Sequence, residues 1–417
     1  MKPEELVPIK SEQIYKGGKP MLAVGIDVSK SKSTAAVLNQ DGSVLAKPFD
    51  FKHNNPDMDV FIKYLREQNE PVTILMEYTG HYHYPVLKKL ESEGFEVCLI
   101  NPLAMKKYGD TELRRVKTDK KDALRIATYA LEKSYQLVPH TPADDKYENL
   151  RLLSRQYSQR SSTLTVNKIH LYNLLDETMP GITGVLKFMT RNPEKCLALA
   201  FVKKFHSYDY IKKLGKTRFI SSYEKLVDKS RNNRSKHLGL EIYELAKRSI
   251  TTHGDNEYII MTQNQCVDLV IASQKAMDEI IIQMQQIAKT LPEYKILMNM
   301  PGVGDHLGPL IIAEMGDIRR FHSAKALNAY AGNDIPPHES GSFESHNRHI
   351  TKRGNAALRK YCFEVIQALK LIQPQDDPVY LYLLKKEQEG KPYNVAKMAA
   401  VNKFLRIYYA RVKELGL

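Results

Sequence analysis

The first twenty residues, MKPEELVPIKSEQIYKGGKP, hold no apolar core, so the pattern predicts a flexible tail over 1–20 and not a secretory signal. An apolar run follows at 21–29, MLAVGIDVS, with strand character. STAAVLN (33–39) and SVLAKPF (43–49) flank Gln40-Asp41-Gly42, a hairpin turn signal. Apolar positions then take helical spacing in NPDMDVFIKYLRE, predicting a helix over about 56–68. PVTILME (71–77) reads as a buried β-branched strand, and YPVLKKLESEG (84–94) as a helix ending at Gly94. FEVCLIN (95–101) is another strand, stopped by Pro102, and short helices are expected near 103–108 and 119–133.

Three consecutive antiparallel strands followed by αβαβα is the layout of a ribonuclease H-like domain, so an α/β domain is expected over 21–140. Beyond it the pattern turns helical. Residues 145–178 and 257–291 lack the breakers of a loop and carry apolar residues at helical spacing. They predict two long helices in a middle region, 141–292, pairing as an antiparallel coiled coil, serving as an oligomer contact, or building an ordinary helical domain. Between them lies a basic, Tyr- and Lys-rich insertion, 180–255. A third region, 293–417, is mainly helical and holds a Pro301-Gly302-Val303-Gly304 turn, a polar loop at 338–355 and a helical tail.

Composition narrows the classes. The 417 residues are 42% hydrophobic and 26% charged, which excludes a disordered, collagen-like or mucin-like chain. No run approaches the ~20 apolar residues of a membrane helix, so no membrane partner is expected. Cys98, Cys196, Cys266 and Cys362 are scattered without metal-site spacing, pointing to reduced thiols and a cytoplasmic location. The net charge of +14 favours a polyanion, with nucleic acid first. That charge is uneven: 103–125 hold eight basic against four acidic side chains, 201–240 eleven against three, and 345–370 six against one. One such window is an ordinary solvated face; three favour phosphate contact.

Candidate chemistry sits at the ends of the first domain's elements. Asp27 closes the first strand and Glu77 a later one; parallel neighbours bring such carboxyl ends to one sheet edge. Asp119 and Asp122 stand three apart near a helix start, on one face. Asp119 read alone is also an ordinary N-cap. Four carboxylates at one edge repel unless a cation neutralises them, and hard oxygen ligands suit Mg²⁺ or Mn²⁺. Lys117, Lys120 and Lys121 flank the second pair, either holding a nucleic-acid backbone or simply solvated. His81 and His83 follow Glu77, where packing or surface roles come ahead of the metal. Gly302 and Gly304 lie in a helix–turn–helix setting whose amides suit a phosphate oxygen, as in a helix-hairpin-helix, although PGVG is also a plain tight turn. In HESGSFESHNRHITKRGN, Ser340 is followed by Arg348, Lys352 and Arg353, so its hydroxyl is a candidate nucleophile for a phosphodiester; Tyr330 is a rival, and a solvent-facing serine is the plainer reading.

VGIDVSK, MEYTG, INPLAMKKYGDTELRRVKTDKKDA, MPGVG and SG…ITKRGNAALR, in that order, resemble the DEDD transposases of bacterial insertion sequences, the bridge-RNA-guided serine recombinases. The resemblance covers about 21–133 and 293–370. It implies a RuvC-like first domain, a helical middle region and a C-terminal transposase domain. It assigns the metal tetrad to Asp27, Glu77, Asp119 and Asp122, with Mg²⁺ or Mn²⁺ as cofactor. The nucleophile would be Ser340, directly before Gly341. Many members carry two serines before the glycine, whereas Glu339 precedes Ser340 here and Ser342 is close by. Donor and target DNA, a structured noncoding guide RNA and a homo-oligomer, dimer or tetramer, are the implied partners. The competing readings are a RuvC-like Holliday-junction or structure-specific endonuclease without a covalent step, an actin-like sugar kinase suggested by GIDVSKSKSTAAVL but lacking a second phosphate loop, and a non-enzymatic RNA-binding protein.

Overall fold

β1 (Leu22–Val28) is the middle strand of a five-stranded sheet, and its buried length explains its nearly unbroken apolar sequence. The computed structural model describes residues 21–416 apart from 79, 110–117, 142–143, 189–191, 231–234, 336–338, 341–342 and 345–348. The tail, Lys117, Gly341, Ser342 and Arg348 thus lie outside the described residues. The chain divides into two compact units, Met1–Pro142 and Ala143–Leu417.

In the first unit β2 (Lys32–Leu38) and β3 (Val44–Lys52) add antiparallel strands on one side of β1. After α1 (Asn55–Glu67), β4 (Val72–Glu77) pairs parallel with β1 on the other side. α2 (Tyr84–Ser92) leads to β5 (Val97–Ile100), parallel to β4, giving the order β3-β2-β1-β4-β5. α3 (Pro102–Gly109) and α4 (Asp119–Glu132) follow. This is the mixed sheet expected of a ribonuclease H-like layout. Strand alternation sorts the two faces. Val24, Ile26, Ile74 and Met76 pack with Phe61, Leu65, Leu87 and Leu90 of α1 and α2. Ala23, Ala36 and Leu75 pack with Ala123, Ile126, Ala127 and Ala130 of α4. Small residues on both sides of that second interface let α4 lie close to the sheet. Gly25 is its closest point: a Cβ there would stand 2.8 Å from the Ala127 Cα and nearer still to the Ala127 N and the Ala123 carbonyl.

Among the described residues the second unit is helical apart from one short hairpin. α5 (Asp145–Thr178) starts on the Asp144 side-chain cap and carries Asp145 and Glu148 in its first turn, where the helix dipole favours them. Five shorter helices follow: α6 (Ile182–Val185), α7 (Leu197–Phe205), α8 (Tyr208–Leu214), α9 (Lys216–Lys229) and α10 (Leu238–Arg248). α11 (Glu257–Ala288) returns along α5. The buried residues of α5 run Tyr147, Leu150, Ser154, Tyr157, Leu164, Leu171, Leu175, Thr178, a three–four spacing, and α11 answers with Gln263, Val267, Val270, Met277, Ile281, Met284 and Ala288. The pairing is antiparallel: Gln263 Nε2 donates to Thr178 Oγ1 at 2.8 Å, and Asn167 Nδ2 to Ser273 Oγ at 3.0 Å. The insertion between them adds an aromatic cluster to the same hydrophobic core, in which Phe205 and Phe219 meet at 5.0 Å and Phe201 and Tyr223 at 6.0 Å.

α12 (Pro292–Met298) and α13 (Leu307–Met315) flank the glycine turn. α14 (Ala324–Tyr330) precedes β6 (Glu339–Ser340) and β7 (Phe343–Glu344), which pair antiparallel. α15 (Ala356–Ile372), α16 (Pro378–Gln388) and α17 (Tyr393–Lys413) complete the unit and share one hydrophobic core with α5 and α11. Among the described residues no helix is long and apolar enough to cross a membrane, and all four cysteines are free.

Candidate active site

The sheet brings the two strand carboxylates together. β1 and β4 are parallel with Ile26 opposite Met76, so Asp27 and Glu77 are the next pair in register, side by side on one face. That face is the one α4 covers, because Asp27 follows Gly25 at strand spacing and Glu77 follows Leu75. Both are half-buried.

α4 runs opposite to β1. Its last turn reaches the β2–β3 turn, where Leu131 would touch a Cβ on Gly42, and its middle crosses Gly25. Its first turn therefore lies at the edge holding Asp27 and Glu77. Thr118 Oγ1 accepts from the Lys121 amide and caps the helix, so Asp119 is the first helical residue and not the cap. Asp119 and Asp122 share that first turn. Asp119 lies 4.0 Å from the Lys32 Nζ, and Asp122 accepts from the Arg125 guanidinium at 2.8 Å. Gly109 leaves the room in which Arg125 lies.

Two further residues stand at this edge that sequence reasoning missed. Thr34 on β2 is the cross-strand neighbour of Asp27, and Asp50 on β3 is the neighbour of Thr34. Thr34 Oγ1 donates to Asp50 at 2.7 Å, and Lys32 Nζ donates to the other oxygen of Asp50 at 2.6 Å. Partial burial works against the Asp50 carboxylate, but the hydrogen bonds from Lys32 and Thr34 and the charges of Lys32 and Lys120 hold its pKa below the usual value. The bond to Asp50, then its charge, raises that of Lys32. Behind this row Ser33 Oγ meets the His53 Nε2 at 2.9 Å, and burial lowers the pKa of His53.

The acidic edge fits a divalent cation in donor chemistry and in backbone placement. Among the described residues no three carboxylate, imidazole or thiol groups gather closely enough to hold one ion. The side chains of Asp119 and Asp122 rest on Lys32 and Arg125 instead. Lys120 and Lys121 are exposed beside them. His83 is buried with its ring 4.3 Å from Tyr84, and exposed His81 packs at 4.4 Å on Tyr82.

In the second unit Ser340 is on a strand whose partner position is Phe343. The loop carrying it rises from two segments zipped together at their base. The Thr351 amide donates to the Asp334 carbonyl at 2.9 Å, the Lys352 amide to Gly332 at 3.1 Å, and the Asn355 amide to Tyr330 at 2.7 Å. Thr351 Oγ1 adds a bond to the Asp334 carboxylate at 2.5 Å. Gly354 makes this zipper possible: a Cβ would stand 3.0 Å from the Ala329 carbonyl and nearer to the Tyr330 carbonyl and Gly332 amide. Asn355 caps α15 and also donates to Glu314 Oε2 at 2.7 Å. Lys352 and Arg353 are exposed at the loop's foot. Tyr330 donates its hydroxyl to the Glu314 carbonyl at 3.1 Å, and Arg320 stacks 4.4 Å from its ring centre. That packing engages the rival nucleophile. Gly302 has φ +83°, and a Cβ on it would stand 2.8 Å from the Val365 carbonyl, so this glycine serves the approach of α15; Gly304 is exposed with open space around it.

Two transposase family models match the chain. The first, a DEDD transposase model of the IS110 type, covers residues 24–180; the second, the transposase family IS116/IS110/IS902, covers 294–381. The chain belongs to this family of insertion-sequence transposases. An insertion element IS116 uncharacterized 44.8 kDa protein of Streptomyces clavuligerus is 24% identical over 94% of this chain and 95% of its own length. The pilin gene-inverting protein of Moraxella lacunata is 21% identical over 94% of this chain and 95% of its own. The transposase for insertion sequence element IS1111A of Coxiella burnetii is 31% identical over 31% of this chain and 35% of its own. A solved structure titled T. thermophilus RuvC in complex with Holliday junction substrate is similar over 29% of this chain and 99% of that one, at 17% identity and a TM-score of 0.22.

The first matched segment of this transposase contains Asp27, Glu77, Asp119 and Asp122, and the second contains the glycine turn and Ser340. The basic insertion lies outside both apart from its first residue. Its charge is partly spent within the fold: Lys212 pairs with Asp209 at 2.7 Å, Lys213 with Asp255 at 3.2 Å, Lys236 with Asp228 at 2.6 Å, and Lys203 with Asp268. Lys204 differs, because burial and then the charges of Lys225 and Lys229 lower its pKa. That clusters positive charge on α7 and α9.

Proposed function

We propose that this transposase cuts and exchanges DNA strands under the direction of a guide RNA, with a divalent-metal carboxylate edge and a serine nucleophile acting together. The observation that supports the proposal is strand register, which sets Asp27 beside Glu77 on two adjacent parallel strands, together with the first turn of α4, which carries Asp119 and Asp122 to the same sheet edge. These carboxylates would hold Mg²⁺, or Mn²⁺ in its place. When bound, such an ion stabilises the charge that builds on oxygen as a phosphodiester is opened. Asp27 and Glu77 would supply ligands fixed by strand register, while Asp119 and Asp122 would turn from Lys32 and Arg125 to complete the set.

Ser340 would attack phosphorus through its hydroxyl oxygen. A serine–phosphate ester forms, a sugar hydroxyl leaves, and the hydroxyl's proton passes to a base or to the leaving oxygen. The ester keeps the phosphodiester's energy, so a sugar hydroxyl of another strand can reverse the step and join new partners. Lys352 and Arg353 at the loop's foot would hold the flanking phosphates, with Lys120 and Lys121 doing so at the acidic edge. The exposed Gly304 side of the turn would meet another phosphate. Sequence choice would fall to base pairing between the guide RNA and the donor and target DNA. Because the carboxylates and the serine belong to separate units, a dimer or tetramer is the proposed working form.

Strand exchange by the purified transposase, given donor and target DNA and the guide RNA, tests this. Asp27→Asn and Ser340→Ala are each expected to abolish exchange while preserving the far-UV spectrum and melting temperature. Full exchange by Ser340→Ala would refute the nucleophile. Metal-dependent cleavage giving free ends and no protein–DNA adduct would favour the structure-specific endonuclease.

A further inference from the structure

We propose that Lys32, anchored by Asp50, is a resident cation of the acidic edge that competes with the divalent metal for Asp119. The inference rests on the tetrad reading above and adds two residues to it.

Lys32 Nζ is bound to Asp50 at 2.6 Å and stands 4.0 Å from Asp119, so one ammonium bridges a carboxylate on an edge strand and one on α4. Asp50 is held in place by Thr34, whose side chain is buried and whose cross-strand neighbour is Asp27. Asp50, Thr34, Asp27 and Glu77 therefore form one row across four strands on the face α4 covers. The ammonium sits at the end of that row. Asp122 has its own internal cation in Arg125, so both carboxylates in the first turn of α4 are already met by a basic side chain.

A cation in that position has two electrostatic consequences. It lowers the mutual repulsion of the carboxylates, which favours the folded edge. It also repels a divalent ion seeking the same oxygens, so metal binding exchanges the Lys32 contact for a metal contact. Asp50 decides where the ammonium goes after the exchange: with Asp50 charged, Lys32 keeps a partner when Asp119 turns away. Lys32 is thus a positioning residue, acting through Asp119.

Lys32→Gln removes the competing charge and leaves Asp50 negative, so Mn²⁺ affinity should rise about tenfold, the scale expected when a unit positive charge beside a divalent-ion site is deleted in a largely aqueous setting. Asp50→Asn removes the ammonium's anchor, drives Lys32 onto Asp119 and deletes a nearby negative charge, so affinity should fall about threefold or more. A purely structural contribution from the pair would weaken binding in both variants. The test is a Mn²⁺ titration of the full-length protein, reading free Mn²⁺ by electron paramagnetic resonance, with Asp27→Asn as reference and thermal melts of each variant. Tighter binding by Lys32→Gln together with weaker binding by Asp50→Asn supports the exchange. Equal affinities, or a loss in both variants, overturns it while leaving the tetrad intact. Wild-type binding that Asp27→Asn does not reduce overturns the tetrad and this inference together.

Discussion

Gly25→Ala should damage the active edge from beneath while touching none of its carboxylates. The new methyl would stand 2.8 Å from the Ala127 Cα and closer to two backbone atoms of α4, and backbone cannot swing aside as a side-chain tip can. Carbon atoms pack best at about 3.5–4.0 Å, so α4 must retreat from the sheet by about 1 Å. A gap of that size forfeits roughly a quarter to a half of the dispersion attraction between facing atoms, here along Ala123, Ile126, Ala127 and Ala130. Overpacking of this kind costs about 1–3 kcal/mol, and the rigid neighbours place Gly25→Ala near 3. For a unit the size of Met1–Pro142 that corresponds to roughly 6–12 °C in melting temperature. The same retreat carries Asp119 and Asp122 away from Asp27 and Glu77, so Mn²⁺ affinity should fall along with stability. Differential scanning calorimetry and the Mn²⁺ titration read the two effects separately. A Gly25→Ala protein with wild-type melting temperature and wild-type Mn²⁺ affinity would show that α4 does not rest on β1 at this glycine.

Gly354→Ala should unzip the foot of the serine loop, because its methyl meets the Tyr330 carbonyl and Gly332 amide; trapped serine–DNA adduct should drop at least tenfold with the first unit's Mn²⁺ binding unchanged, and a wild-type adduct yield would contradict the zipper. Thr178→Val deprives the buried Gln263 amide of its acceptor and should cost about 1–3 kcal/mol in urea denaturation, whereas Thr178→Val with Gln263→Leu should recover much of the loss; a double variant no better than the single would place the cost elsewhere. Neutralising Lys204, Lys225 and Lys229 should reduce the salt slope of nucleic-acid binding by about 0.7–0.9 for each phosphate no longer neutralised, and removing the internally paired charges of Lys212, Lys213 and Lys236 should change it far less. A wild-type slope in both sets would remove the insertion from the binding surface.

What could be read in advance, and what could not, separates along physical lines. β1 and β4 are marked by short continuous apolar runs, and the two long helices by a burial pattern that repeats over many residues: Asp145–Thr178 coincides with the breaker-free segment. Asp27 and Glu77 are legible because parallel strands must align their carboxyl ends, and Asp119 and Asp122 because helical spacing is local. Asp50 is hidden by strand register. Starting from the turn, Leu38 faces Val44, and an unbroken ladder would set Thr34 opposite Pro48. Two irregularities, between Ala35 and Val37 and between Val37 and Leu38, shift β3 so that Asp50 takes that place. Pro48 offers no amide to a ladder, and β3 is an edge strand, where such a shift is tolerated. The same edge position that allows the bulge leaves Asp50 accessible beside the carboxylates. The register of an edge strand thereby decides whether Lys32 has an anchor, and that dependence is non-local in a way no sequence period records.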